Sequence, residues 1–307
     1  MVKVSIIIPV YNTGAYLEET LKCLIGQTLS DIEILVVDDG STDNSADIVK
    51  RMQASDSRIS YFYQTNQGQS AARNHALKYA SGQYIYFMDS DDIIDTDALR
   101  QCYEYAEHTQ ADFIFFDGDT LYEDGTASRA WNYKRSHLFE ENHAYDGPSI
   151  LDHLLQLEKH NCVVWLLFIR HNYLRNIHLD FYEGIIHEDE LFTTKLTMQS
   201  NRIYCLQKSF IGHRVRNTST MGIQYSKRNV DCYLTVIDEL LKFSTAPVIQ
   251  HFARYTLSKV FYTAHLIDRK DKPAVFWRAL KSGYLKYIGL KSILVFWLKP
   301  TYTQPTT

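Results

Sequence analysis

Tyr84-Ile85-Tyr86-Phe87-Met88-Asp89-Ser90-Asp91-Asp92 is an apolar run that stops on three carboxylates. Five consecutive apolar residues rich in aromatic and β-branched side chains read as a buried strand, and the acids fall where the chain leaves the sheet. An Asp-x-Asp turn there suits one divalent cation holding a substrate diphosphate, because hard cations take oxygen ligands and Mg2+ shares them with phosphates. A solvated turn or a helix cap uses the same residue types. The neighbours of this stretch decide between those uses.

Outward from it, residues 3 to about 117 alternate short β-branched runs with amphipathic stretches, the pattern of strand-helix-strand units around a mostly parallel sheet. The expected strands are Val4 to Val10, Ile32 to Val37, Ile59 to Tyr63, Tyr84 to Met88 and Phe113 to Phe116, each short and nearly continuously apolar. Leu17, Leu21, Leu24 and Ile25 form one stripe of a helix expected from Tyr16 to Gln27. Ser41-Thr42-Asp43 offers caps for a second helix running to about Met52. From about 118 to 150 the pattern turns polar and aromatic (Tyr122, Trp131, Tyr133), a loop-rich region suited to acceptor recognition or to a surface insertion. Gly147-Pro148 closes it before a helical Ile150 to Leu157, and from about Gln224 the chain reads as helices rich in Leu, Tyr, Phe and Lys.

The 307 residues suffice for one large domain or two small ones, at roughly 100 to 200 residues each. Thirty-two basic against 36 acidic side chains give a net charge of −4, so no nucleic-acid partner is expected. Cys23, Cys102, Cys162, Cys205 and Cys232 stand singly with no C-x-x-C pair, which argues for reduced thiols in the cytoplasm and against a zinc site or disulfide frame. Met1 to Pro9 reads as a first strand rather than a signal peptide, and no window approaches the ~20 apolar residues of a membrane span.

In an open α/β sheet the ligand lies outside the carboxyl ends of the strands. That rule brings together Pro9-Val10-Tyr11-Asn12, Asp38-Asp39-Gly40-Ser41 and Asp89-Ser90-Asp91-Asp92 in one crevice. Asp39 suits a base N–H or ribose hydroxyls, and Asp91 a metal bridging phosphates. Between them, Asn66-Gln67-Gly68-Gln69-Ser70-Ala71-Ala72-Arg73-Asn74 opens a small-residue helix, from which Arg73 can pair with phosphate or orient the acids. Neither G-x-G-x-x-G nor G-x-x-x-x-G-K-[ST] occurs, which excludes the dinucleotide and P-loop patterns.

Val4 to Asn12, Val36-Val37-Asp38-Asp39-Gly40-Ser41-Thr42-Asp43, the Gly68 to Asn74 loop and Met88 to Asp92 resemble, in this order and spacing, the family 2 glycosyltransferases. The resemblance is close over residues 3 to 115 and looser to about 220. It implies the A-type glycosyltransferase fold: an α/β class with a Rossmann-like, mostly parallel central sheet flanked by helices. The implied division is a nucleotide-sugar half (1–117), an acceptor and catalytic-base half (118–222) and a helical C-terminal extension (223–307).

By the same resemblance, Pro9, Tyr11, Asp39, Gly68, Arg73 and Asp89 bind the donor nucleotide, with Asp89 on the ribose or in the metal shell. Asp91 and His213 hold Mn2+ or Mg2+, and Arg214, Arg216 and Ser219 hold the diphosphate. His187-Glu188-Asp189-Glu190-Leu191-Phe192 resembles the family's Glu-Asp motif, with Asp189 the expected base and Glu188 and Glu190 beside it. Such a run also serves as an acidic first helical turn that complements the dipole. Where several relatives carry Trp-Gly-Gly, this chain has Glu183-Gly184-Ile185-Ile186-His187, a departure that touches the acceptor subsite.

The implied reaction is an inverting, metal-dependent transfer of a hexose or N-acetylhexosamine, with a UDP-sugar as default donor and a glycan, lipid-linked or protein-linked acceptor. Two rivals share the α/β half: a sugar-nucleotide nucleotidyltransferase, whose basic glycine-rich loop is replaced here by Val10-Tyr11-Asn12-Thr13-Gly14, and an inactive sugar-binding or scaffold subunit. Trp277 to Lys299 is cationic and aromatic, which suits either peripheral contact with the inner face of a cell membrane or packing within the protein or a homodimer.

Overall fold

The computed structural model describes residues 1–122, 133–215 and 225–300. In chain order its elements are β1 (Val4–Val10), α1 (Gly14–Ile25), β2 (Ile32–Asp38), α2 (Ser45–Gln53), β3 (Ile59–Tyr63), α3 (Gln69–Leu77), β4 (Tyr84–Phe87), β5 (Ile93–Ile94), α4 (Ala98–Thr109) and β6 (Phe113–Tyr122). There follow α5 (Gly147–Gln156), β7 (Leu167–Arg170), α6 (His171–Asn176), α7 (Glu188–Gln199), β8 (Ile203–Val215), α8 (Lys227–Phe243), α9 (Pro247–Thr263), α10 (Lys272–Lys281) and α11 (Leu290–Leu298).

The strands form one sheet in the order β3-β2-β1-β4-β7-β6-β8-β5. β3, β2, β1 and β4 run parallel, as the apolar runs predict. β7 then pairs antiparallel with both β4 and β6, β6 pairs parallel with β8, and β5 pairs antiparallel with β8. The sheet is therefore parallel in its first half and mixed in its second. β6 continues to Tyr122 instead of stopping at Phe116, because β8 gives it a partner along most of its length. The expected loop region thus begins as strand. The N-cap of α2 is Asn44 rather than one of the expected Ser41-Thr42-Asp43, although Asp43 Oδ1 just before it accepts from Ser45 N at 3.0 Å.

Side-chain alternation along β1 divides the core. Val4, Ile6, Ile8 and Val10 face the cluster with Leu17 and Leu21 of α1 and Ile48 of α2, whereas Ile7 faces the cluster with Ala72 and Ala76 of α3. Pro9 lacks a ladder donor, yet it sits where pairing with β4 has already ended at Ile7↔Phe87, so no bond is lost on that side.

A third cluster joins Leu151 and Leu155 of α5 and Leu191 of α7 to Val230, Leu234 and Ile237 of α8, Phe252 and Phe261 of α9, and Phe296 of α11. The C-terminal helices therefore share a core with α7, whose first turn carries Glu188 and Asp189. Among the described residues no helix is long and apolar enough to cross a membrane.

Candidate active site

The loops leaving β1 and β2 are tied together at the carboxyl edge. Asp39 N donates to Val10 O at 2.8 Å, which sets Asp39 beside Tyr11. Asn12, in the left-handed region at φ 52°, accepts from Thr42 N at 2.7 Å and donates its own N–H to Ser41 Oγ at 3.1 Å. Asp38 accepts from Ser41 N (2.8 Å) and Tyr61 Oη (2.9 Å). Asp39 is buried and holds the next loop: Oδ1 accepts from Gln64 Nε2 and Gln67 N, and Oδ2 from Gly68 N, each at 2.8 Å. Gly68 turns there at φ 89°, where only glycine is unstrained, and α3 begins at the next residue. Half-exposed Tyr11 and half-buried Pro9 line the crevice so formed.

Arg73 stands at the centre. Its guanidinium is buried and meets three carboxylates: Nη1 donates to Glu188 at 3.0 Å and Asp189 at 3.1 Å, and Nη2 to Asp89 at 3.2 Å. It also lies over the Phe181 ring, 5.1 Å from the centroid. A buried charge demands such partners. Of the two uses the sequence leaves open for Arg73, this structure displays the second, orienting the acids. Glu188 is equally buried and is further bound by the Gln69 side chain, a residue the sequence did not single out although it follows Gly68 directly.

Asp189 differs from Glu188. One-fifth of its side chain is exposed, and Oδ2 accepts from Val164 N at 3.4 Å. Burial pushes its carboxyl up to about 7, Arg73 pulling the other way. Glu190, beside Cys162, is also raised to about 7 by burial. All three acids occupy the first turn of α7, where the helix dipole favours negative charge. His187 precedes them in the left-handed region (φ 67°), its ring stacked at 4.0 Å on Tyr233 of α8.

The antiparallel register Ile93↔Gly212 carries Asp92 to His213. Gly212 is required there, since a Cβ would press on Leu121 and Ile93. Asp92 is fully buried and accepts from His213 Nδ1 at 2.9 Å and from Arg214 N at 2.9 Å. Thr20 Oγ1 fastens the loop through the carbonyls of Ser90 and Asp92. Burial raises Asp92 to about 6, against the pull of His213. His213 is itself raised: burial opposes its charged form, but the Asp92 carboxylate prevails. The imidazole stacks on Trp165 at 4.9 Å, with the Tyr133 ring edge-on at 5.4 Å.

Asp89, Asp92 and His213 each offer a ligand atom, all within 4.8 Å of one another. Two carboxylate oxygens and an imidazole nitrogen fit Mn2+, with Mg2+ favouring oxygen alone. The expected pair of Asp91 and His213 shares His213 with this set; Asp91, buried next to Asp92, is not one of the three. Arg214, which the resemblance puts on the diphosphate, is engaged by protein groups in this structure. Its Nε donates to Asp91 O at 3.0 Å, its Nη2 to Glu19 at 2.8 Å, and it lies over Tyr16, so it braces the acidic loop against α1. Arg216 and Ser219 lie outside the described residues.

A mixed sheet with a crevice at the carboxyl ends of its parallel strands, and acids gathered at its centre, is the A-type glycosyltransferase fold. Residues 5–177 match the family described as Glycosyl transferase family 2, and the chain belongs to that family. It is 31% identical over 263 residues to the glycosyltransferase GlyA of Streptococcus pneumoniae, a match covering 82% of this chain and 36% of that protein. It is 32% identical to the uncharacterized glycosyltransferase EpsJ of Bacillus subtilis, covering 72% of this chain and 64% of EpsJ. The chain thus spans less than two thirds of either relative. Among solved structures, S. aureus TarS 1-349 in complex with UDP-GlcNAc superposes with a TM-score of 0.73 at 20% identity, over 95% of this chain and 83% of that one. The mannosyltransferase PcManGT from Pyrobaculum calidifontis, in complex with GDP-Man and Mn2+, gives 0.59 at 16% identity, over 97% and 88%.

Proposed function

We propose that the protein is an inverting glycosyltransferase that moves a hexose or N-acetylhexosamine from a nucleoside-diphosphate sugar, UDP-linked by default, to a hydroxyl of a glycan, glycolipid or glycoprotein acceptor in surface-glycan synthesis. The observation that carries the reading is Arg73, which holds Asp189 and Glu188 on one side and Asp89 of the candidate metal set on the other. General base and diphosphate site are thereby held at one guanidinium. The division into a donor half (1–117), an acceptor half (118–222) and a C-terminal extension (223–307) is part of the proposal.

Pro9, Tyr11 and Asp39 would take the nucleoside at the β1 and β2 edge. Asp89, Asp92 and His213 would hold Mn2+ or Mg2+, which when bound offsets the negative charge that develops on the leaving diphosphate. Asp189 takes the proton of the acceptor hydroxyl as its oxygen attacks the anomeric carbon, and a single displacement inverts that centre. Its elevated proton affinity and partial exposure suit that task, whereas Glu188, closed in by Arg73 and Gln69, positions the guanidinium. The protein is to be incubated with a panel of labelled nucleotide sugars, with and without Mn2+. Nucleoside diphosphate release, with inversion seen by proton NMR of the product, supports the reading. Pyrophosphate release would mark the nucleotidyltransferase alternative, and no turnover with retained binding would mark the inactive subunit.

A further inference from the structure

We infer that the outer face of α10 and α11 docks on an anionic lipid surface, independently of the transfer reaction.

Residues 272–300 carry six of the chain's 32 basic side chains and none of its 36 acids, leaving 26 basic against 36 acidic elsewhere. This stretch is thus purely positive in a chain that is acidic elsewhere. Two of the six cations are used inside: Lys272 Nζ donates to Phe296 O at 2.8 Å, tying α10 to α11, and Arg278 binds Asp231 and Thr235 of α8. The other four, Lys281, Lys286, Lys291 and Lys299, are exposed.

The apolar residues sort the same way. Phe296 is buried, whereas Leu290, Leu294, Trp297 and Leu298, at i, i+4, i+7 and i+8, form an exposed stripe along α11. On α10, Trp277 (58% exposed) and Leu280 (41%) do likewise, while Val275 and Ala279 face the core. Phe276 and Trp297 touch edge to face at 5.5 Å, so the two stripes adjoin. Six of the 14 exposed large apolar side chains among the described residues fall within these two helices, both exposed tryptophans included. Lys291 and Lys299 lie along the Tyr262 ring, keeping their ammonium groups at the rim of the apolar patch.

An apolar stripe with tryptophans and a rim of lysines is the pattern that enters the headgroup region of a bilayer, and lysines without acids select anionic lipid. A second copy of the chain would meet lysine with lysine across a self-complementary contact, so charge favours lipid over a homodimer.

The full chain should co-sediment with vesicles containing phosphatidylglycerol and not with phosphatidylcholine vesicles, and brominated lipid should quench its tryptophan fluorescence. Replacing two of the four exposed lysines by glutamine should weaken partitioning about 25-fold, at about fivefold per charge near the surface. Trp277→Ser with Trp297→Ser should abolish quenching, with the far-ultraviolet spectrum unchanged because both side chains are exposed. Absence of binding by the wild type would overturn the inference, as would equal binding to both vesicle types. So would light scattering that shows a dimer separated by Leu290→Glu with Leu294→Glu.

Discussion

The Arg73 guanidinium and the Glu188 carboxylate, each 2% exposed, meet at 3.0 Å from positions 115 residues apart. Breaking a buried pair leaves an uncompensated charge and costs about 3–5 kcal/mol. Arg73→Met should therefore lower the free energy of unfolding by about that amount in chemical denaturation, since Glu188 and Asp189 lose their common partner. An unchanged midpoint would show that the pair does not hold the two halves of the site.

Asp189→Asn should leave donor affinity in place, measured by calorimetry, and reduce turnover by the roughly 10²- to 10⁴-fold that a general base supplies. Glu188→Gln should act differently, loosening Arg73 and lowering the melting temperature. If Glu188→Gln abolishes turnover at full stability while Asp189→Asn does not, the two roles are exchanged.

Because burial raises Asp189 to about 7, kcat/KM should fall on the acid side with an apparent pKa near that value. Activity requires the carboxylate, so the rate rises with pH and then levels. Stability runs the other way for this group. Its folded pKa exceeds the unfolded value of about 4, so the contribution is complete below about pH 4 and fades as pH climbs through 7. A flat pH–rate profile from 5 to 8 would remove Asp189 from the proton transfer.

The metal set separates neighbouring acids. Asp92→Asn and His213→Ala should raise the Mn2+ dissociation constant by more than the roughly 10- to 100-fold typical of residues behind the ligands. Asp91→Ala should change it less. Calorimetric titration of Mn2+ into the three variants decides, and a larger loss in Asp91→Ala would favour the Asp91 assignment that the resemblance implies.

Much of this site was legible because its parts lie at strand ends. The apolar runs locate β1 to β4 to within a residue, and the loops at Tyr11, Asp39 and Asp89 follow from the carboxyl-edge rule. Asp189 was readable as an acid beginning a helix. What could not be read depends on register between distant segments. Asp92 meets His213 only because Ile93 pairs with Gly212, and Arg214 turns toward Glu19 only because β8 runs beside the acidic loop. The α10 and α11 stretch is legible as amphipathic, but which of its aromatics face inward is set by packing against α8 and α9.

Tyr233→Ala should test the link between α8 and the acids. Removing the ring under His187 deletes a stacked pair of about 0.5–1.5 kcal/mol and frees the first turn of α7. Turnover should drop while nucleotide affinity stays near wild type. An equal loss in both would place the effect on the whole fold.

The Asp92–His213 contact joins residues 121 positions apart, across a strand that enters the sheet between two earlier ones. On the ribosome, the acids of the first half are made long before the histidine that gathers them, and at about 5–20 residues per second that interval lasts on the order of 6–24 s. Once β6 has been made, its edge toward β8 stays open for the rest of this window, a vulnerability that chaperone engagement would have to cover and that no property of the finished fold reveals.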